Sequence, residues 1–165
     1  MTPDLFAEAP QYAAATFPEP RPFQVAAHQA LREGVRAGHR CQLLMSPTGS
    51  GKTYLGLRIA HEALLKRKKA LFICDRRTLI NQTSRTADSY GLSAHGVLMA
   101  DHWRVDPDMP FQIGSAQTLH RRGISDEFDV IVIDEAHTQL PGAAPRWAAP
   151  VRRLGQAVRR RGIGL

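Results

Sequence analysis

The sequence predicts an α/β fold of three layers, a parallel sheet with helices on both faces, and three observations lead to this prediction. Short apolar runs that are typical of buried strands alternate with stretches whose apolar residues recur at helical spacing. A glycine-rich turn at residues 46–53 directly follows one apolar run, and a pair of acids, Asp134 and Glu135, directly follows another. Because ligands of such sheets bind beyond the carboxyl ends of the strands, both polar segments are predicted to lie at one edge of the sheet.

The order of the elements along the chain supports this arrangement. Ala27, Leu31 and Val35 share one helical face, which predicts a helix over residues 24–37. By the same criteria we predict, in chain order, a strand at 41–45, a helix at 52–67, a strand at 70–74, a helix at 78–90, strands at 95–99, 111–114 and 130–133, a helix around 151–158 and a last apolar run at 162–165. Residues 100–110 contain two prolines and are predicted to form a surface loop.

Length and composition indicate one domain. The chain has 165 residues, of which residues 1–20 are rich in Pro and Ala and are interpreted as a flexible arm, and residues 21–165 as the domain. No apolar run approaches the ~18 residues that span a bilayer, so we expect no membrane association. Cys41 and Cys74 lack zinc-type spacing, and we interpret both as buried, reduced thiols of a cytoplasmic protein.

The charge balance favours a polyanionic partner. The chain carries 22 Lys and Arg against 15 Asp and Glu, a net charge of +7. A basic domain attracts polyanions, of which nucleic acid is the usual one, although many basic proteins bind none.

Several isolated side chains are expected to have structural roles. We favour loop anchoring over base stacking for Trp103 and Trp147, and a solvated helix end over a binding patch for residues 159–161. The histidines that are expected at the surface without a functional role are His28, His39, His61, His95, His102 and His120.

The glycine-rich turn has the composition of a phosphate-binding loop. Gly49 and Gly51 allow a tight turn that presents successive backbone N–H groups, and a helix that starts near Lys52 adds the positive end of its dipole. The residues predicted to bind the phosphates of ATP are Pro47, Thr48, Gly49, Ser50, Gly51, Lys52 and Thr53. Lys52 is predicted to reach the β- and γ-phosphates and Thr53 to offer its hydroxyl to Mg²⁺. The alternative is a turn that binds nothing.

The acidic pair completes the predicted catalytic site. Asp134 follows four apolar residues, so a strand can hold its carboxylate at the Mg²⁺ ion. Glu135 is placed to orient and deprotonate the attacking water. The alternative is a strand that ends in a polar turn.

The two segments together resemble the superfamily 2 helicases and translocases. Ser46-Pro-Thr-Gly-Ser-Gly-Lys-Thr53 resembles their phosphate loop, and Asp134-Glu-Ala-His137 resembles the motif of the DEAH branch, which includes restriction-enzyme motor subunits. The resemblance runs from about Arg21 to the end of the chain and implies the first RecA-like domain of a P-loop NTPase.

Two further roles come from the resemblance. His137 is implied to couple the nucleotide site to the nucleic acid, with a histidine bonded to a neighbouring carbonyl as the alternative. Gln24, in an Arg-Pro-Phe-Gln segment, is implied to pair with the adenine edge. For Gln24 the alternative is an ordinary helix start.

The resemblance also implies a nucleic-acid surface that contacts the backbone and carries no sequence specificity, with DNA favoured over RNA. The implied contact residues are Arg76, Arg77, Gln82, Ser115, Gln117 and Thr118. The alternatives are solvated arginines at 76 and 77 and a helix cap at Ser115.

A motor of this family works with a second RecA-like domain or a partner subunit, which supplies an arginine finger worth ~10³–10⁵ in rate. The family pattern places a strand corresponding to residues 162–165 in the middle of the sheet, and the segment that follows that strand in relatives is absent here. We therefore expect slow hydrolysis, no unwinding by this domain alone, and marginal stability or support from a partner. The rival hypotheses are a catalytically weak binding remnant and a P-loop ATPase that does not act on nucleic acid.

Overall fold

The computed structural model describes residues 10–122 and 128–136. Its helices are α1 (Pro10–Ala13), α2 (Pro22–Arg36), α3 (Lys52–Leu65), α4 (Arg77–Ser89) and α5 (Ala116–Arg122). Its strands are β1 (Ala70–Cys74), β2 (Gly96–Leu98), β3 (Phe111–Ser115) and β4 (Val130–Ile133). The predicted helix at 151–158, the run at 162–165 and His137 lie outside the described residues.

The four strands form one parallel sheet in the order β2-β3-β1-β4. The register brings the last residues of the strands level, because Cys74 of β1 pairs with Ser115 of β3 and Ile73 of β1 pairs with Ile133 of β4. The chain segments that follow β1, β3 and β4 therefore leave the sheet at the same edge.

Helices cover both faces of this sheet, so the predicted three-layer α/β class is confirmed. Phe72 of β1 packs in a cluster with Leu57 of α3 and Ile80 of α4. Its neighbour Ile73 packs in a second cluster with Leu119 of α5. Successive residues of a strand point to opposite faces, which accounts for the two clusters.

The predicted strand at 41–45 is wrong. Residues 41–47 have no regular secondary structure, and Leu43 and Met45 are 67% and 85% exposed. An apolar run becomes a strand only where a neighbour pairs with its backbone, and no strand among residues 10–122 and 128–136 pairs with this segment. Cys41 is consequently exposed, which corrects the expectation of two buried thiols, whereas Cys74 is buried in β1.

The described part of the N-terminal segment packs against the domain, in contrast to the flexible arm that the composition indicates. Tyr12 of α1 is buried, and its hydroxyl donates a 2.6 Å hydrogen bond to the carbonyl of Ala94. Phe17 contacts the rings of Tyr54 and Tyr90, with centroids 5.8 and 4.9 Å apart. Aromatic burial of this kind fixes residues 12–17 on the outside of α3 and α4.

Two histidines expected at the surface are buried. The Nε2 atom of His61 lies 2.7 Å from the carbonyl oxygen of Tyr12. His95 lies directly before β2 and bonds through Nε2 to the hydroxyl of Ser84, at 2.8 Å. Polar side chains of this type enter a core only when partners satisfy their hydrogen bonds, and single-sequence periodicity carries no information on those partners.

None of the helices described here is long and apolar enough to cross a membrane.

Candidate functional site

The glycine-rich turn adopts a conformation that requires glycine. Gly49 and Gly51 have φ angles of +78° and +82°, in the left-handed region that L side chains avoid. The backbone N–H of Ser50 donates to the carbonyl of Pro47 at 3.3 Å, and α3 begins at Lys52. The turn thus presents its backbone at the N-terminus of a 14-residue helix, an arrangement that favours anions.

Lys52 links the turn to the acidic pair. Its Nζ atom lies 3.4 Å from the carbonyl oxygen of Ser46 and 3.8 Å from the Oε1 atom of Glu135. The side chains of Lys52 and Glu135 are 29% and 35% exposed, so the cation is open to a ligand from solvent. The structure therefore brings together two segments that the sequence separates by most of the domain.

Asp134 is held at the carboxyl end of β4. Its backbone N–H donates to the carbonyl of Ile73 at 2.9 Å, and its Oδ1 accepts from the backbone N–H of Glu135 at 3.0 Å. Burial, the larger cause, and the charge of Glu135 raise the pKa of the Asp134 carboxyl, against the opposing effects of that backbone bond and of Lys52. A carboxylate that is costly to ionise without a nearby cation fits a site for a divalent metal ion.

Glu135 has a φ angle of +53°. This left-handed conformation is uncommon for a residue with a side chain, and such strain persists where surrounding structure holds it. It turns the chain directly after β4 and brings the Glu135 carboxylate back toward Lys52.

Gln24 contacts the glycine-rich turn. Its side-chain amide donates to the carbonyl of Ser50 and accepts from the backbone N–H of Arg21, both at 2.9 Å. Both polar atoms of the buried amide are thus bonded within the protein. The bond to Arg21 stabilises the start of α2, which is the alternative role that the sequence analysis gives for Gln24. An adenine contact by Gln24 would require one of these bonds to be exchanged.

A cleft of about 690 Å³ adjoins these groups. Its polar end carries Lys52, Asp134 and Glu135, and its walls are apolar side chains from the 43–45 segment, α3, β1 and β4. Ser46, which precedes the residues predicted to bind phosphate, also lines the cleft and bonds to the hydroxyl of Ser50 at 2.5 Å. The sequence signal for Ser46 as a residue of this cleft is its position between the apolar run at 41–45 and the glycine-rich turn.

A second cleft of about 590 Å³ lies at the ends of β1, β2 and β3. The predicted contact residues that line it together are Arg76, Arg77, Ser115, Gln117 and Thr118. Asp75, Ala100 and Asp101 line it too, and the sequence analysis missed them although each follows a strand end. The sixth predicted contact residue, Gln82, lies instead in a polar groove along α4.

Ser115 has the capping position that the sequence left as an alternative. Its side chain is buried, and its Oγ accepts from the backbone N–H of Thr118 at 3.4 Å, at the start of α5. Arg76 and Arg77, by contrast, are exposed where β1 leads into α4. The arginines are therefore the accessible cations of this cleft.

Comparison with known proteins agrees with this geometry. The family described as "Type III restriction enzyme, res subunit" matches residues 17–149. The chain is 28% identical over 139 residues to the Type I restriction enzyme EcoAI endonuclease subunit of Escherichia coli. This alignment covers 78% of the chain and 17% of the E. coli protein. It is 32% identical over 102 residues to the probable helicase HelY of Mycobacterium leprae, covering 58% of this chain and 11% of HelY. The chain thus spans a small part of the length of these relatives.

The fold also resembles that of a solved helicase. The UvsW helicase from bacteriophage T4 superposes with a TM-score of 0.67 at 18% identity, over 89% of this chain and 51% of that one. The resemblance to superfamily 2 motor domains with a RecA-like fold is confirmed. Since the family match extends over well over half of the sequence, this chain belongs to the Type III restriction enzyme res-subunit family.

Proposed function

We propose that this chain is the ATP-binding motor domain of a DEAH-type helicase or translocase, which hydrolyses ATP and binds nucleic acid. The observation that carries the proposal is the 3.8 Å approach of Lys52 to Glu135 beside a glycine turn at a helix N-terminus. A cation for phosphate and a carboxylate for water then face the same cleft.

Each group has a defined role in the proposed hydrolysis. The N–H groups of the turn at Gly49 and Gly51 and the Lys52 ammonium bind the phosphates. Glu135 orients the attacking water and accepts its proton. Asp134 and Thr53 would hold Mg²⁺, which supplies positive charge to the phosphate oxygens when it is bound.

The second cleft is proposed to bind the nucleic-acid backbone. It lies at the same edge of the sheet as Asp134 and Glu135, because β1, β3 and β4 are parallel and their carboxyl ends are level. Exposed Arg76 and Arg77 supply charge-assisted bonds to phosphates, and Gln117 and Thr118 supply polar contacts. Such contacts position a strand without reading its sequence, and we propose DNA as the favoured polymer.

Coupling between the two clefts is proposed to involve His137, and full activity a second RecA-like domain or partner subunit. An arginine supplied across the cleft would stabilise the charge that develops on the transferred phosphoryl group. We therefore expect slow ATP hydrolysis by this domain alone.

The proposal is tested by steady-state ATP hydrolysis with and without single-stranded DNA. We expect slow hydrolysis that DNA stimulates, and a fall of about 10²–10⁴-fold in Glu135→Gln. The matched control is Glu33→Gln, the same change at an exposed position of α2, which should keep the wild-type rate. A rate that Glu135→Gln leaves unchanged contradicts the catalytic assignment, and a rate that DNA does not alter favours an ATPase unrelated to nucleic acid.

A further inference from the structure

Trp103 is the feature of the molecule that the proposed function leaves unexplained. Its side chain is 79% exposed, so the loop-anchoring role that we favoured from the sequence is wrong. The exposed indole presents a large apolar surface that a planar ligand can cover.

The loop that carries Trp103 is fixed on both sides of the ring. The guanidinium of Arg104 donates to the carboxylate of Asp88 on α4 at 2.7 Å. The backbone carbonyl of Arg104 accepts from the backbone N–H of Val97 at 2.9 Å. On the other side, the Nε2 atom of His102 lies 3.2 Å from the side-chain oxygen of Asn81 on α4. Trp103 is therefore exposed on an ordered support, so a ligand that contacts it has little ordering entropy to overcome.

The surroundings of the ring leave room for an aromatic ligand. The Cζ atom of Arg104 lies 4.6 Å from the centre of the Trp103 ring, and the ring of His102 is tilted from it by 26° with centroids 5.7 Å apart. These two contacts leave most of the indole open, as its 79% exposure requires. A planar base can stack on the open surface of the indole, while the exposed Arg76 and Arg77 of the second cleft can attract the phosphates of the same strand.

Trp103 lies two residues after Asp101, which lines the second cleft. Asp101 lines that cleft together with Arg76 and Arg77, and its φ angle of +58° turns the chain toward Trp103. The Cα atoms of Asp101 and Trp103, two residues apart, are separated by at most ~7.2 Å. The contact of His102 with Asn81 places this loop beside α4.

We infer that Trp103 stacks on an unpaired base and thereby extends the arginine cleft into a site for single-stranded nucleic acid. The inference rests on the proposed binding of nucleic acid and adds the class of substrate, because the bases of a duplex are stacked on each other and unavailable to the indole. A protein partner that uses Trp103 as an anchor is less favoured, because the α4 side chains that contact the loop, Asn81 and Asp88, are polar.

The test is equilibrium binding, followed by fluorescence anisotropy, of four labelled probes: oligodeoxyuridylate of about 16 nucleotides, the matching oligouridylate, an abasic strand of equal length and a duplex. We expect Trp103→Ala to weaken binding to the single strand about tenfold and Trp103→Phe to restore most of the affinity. The abasic strand and the duplex should bind wild type and Trp103→Ala equally. The DNA and RNA arms show which sugar the site prefers.

Matched controls separate the possible failures. Val105→Ala removes another exposed apolar side chain of the same loop and should leave all affinities unchanged. Thermal unfolding first establishes that both proteins are folded. If Trp103→Ala then binds the single strand as tightly as wild type does, stacking is refuted and the proposed function stands. If the loss extends equally to the abasic strand, Trp103 acts through the backbone and the inference is wrong. If wild type binds none of the four probes at low salt, both proposals fail.

Discussion

The ammonium of Lys52 and the carboxylate of Glu135 lie 3.8 Å apart, with both side chains about one third exposed. A pair in this environment contributes about 0–1 kcal/mol, so a phosphate can displace the carboxylate at small cost. The contact keeps the lysine pointing into the cleft and fixes the distance between the proposed phosphate-binding and water-activating groups.

This contact predicts the effect of Glu135→Gln on nucleotide affinity. Removing the carboxylate charge frees Lys52 from its competitor, so ATP should bind the variant about two- to fivefold more tightly while hydrolysis falls. Titration of a fluorescent ATP analogue in the presence of Mg²⁺ measures the change. A clear loss of affinity would mean that Glu135 contributes to binding and that the competition does not exist.

The left-handed glycines predict a graded loss of stability. A Cβ atom at Gly51 would collide with the side-chain amide of Gln24, whereas one at Gly38, where φ is +87°, would meet nothing within 4 Å. Gly38→Ala should therefore cost only the backbone strain of about 1–2 kcal/mol. Gly51→Ala should cost about 1–3 kcal/mol more, because it also disrupts the Gln24 bond to Ser50. Urea unfolding of both variants gives the comparison, and equal losses would show that Gln24 does not support the turn.

Buried His95 predicts a dependence of stability on pH. Burial, the largest cause, lowers the pKa of His95, and the charge of Arg104 acts in the same direction, while the bond to the carbonyl of Leu92 and the charge of Asp88 oppose it. The unfolded chain therefore takes up a proton at a higher pH than the folded one. The free energy of unfolding should be constant above about pH 6.5 and should fall as the pH drops below that value.

The groups that face His95 are Ser84 and Asp88 from α4 and Arg104 and His102 from the loop. Thermal unfolding between about pH 7.5 and about pH 5.5 gives the melting temperature at each pH, which should change less with pH in His95→Gln than in wild type. His39→Gln, at an exposed position, should keep the wild-type profile. Identical slopes for His95→Gln and wild type would exclude His95 as the source.

The two cysteines predict a simple labelling pattern. Burial raises the pKa of the Cys74 thiol to about 12, and the charge of Asp134 adds to the rise against the opposing bond to Thr83. Cys41 is exposed. A thiol reagent added to the native protein near pH 8 should modify Cys41 quickly and Cys74 slowly. The substitution Cys41→Ser should abolish the fast modification. Rapid modification of Cys74 in the native protein would contradict its burial in β1.

Parts of the fold could be predicted because single local signals decide them. The bounds of β1 and β4 match the sequence prediction, since each is a short, wholly apolar run between polar residues. Glu135 lies at the carboxyl edge of the sheet because it follows β4, as the sequence predicts. Lys52 reaches the same edge without the predicted strand at 41–45, because it begins α3, which packs against β1 and β4.

The remaining features depend on partners distant in sequence. The 41–45 run has the pattern of a strand without a neighbour among the described residues, and Tyr12 is buried because it finds the carbonyl of Ala94. The bond of Gln24 to Ser50 in the glycine-rich turn and the exposure of Trp103 likewise follow from tertiary contacts that no local periodicity encodes.

The most direct measurement is calorimetric titration of ATP into wild type, Lys52→Ala and Asp134→Ala, with Mg²⁺ and with chelator. If the two residues serve one nucleotide, wild type binds more tightly with Mg²⁺, Lys52→Ala loses about 10- to 150-fold in affinity, and Asp134→Ala binds weakly and equally with or without Mg²⁺. Wild-type affinity in Lys52→Ala, or an undiminished effect of Mg²⁺ in Asp134→Ala, would contradict a shared site.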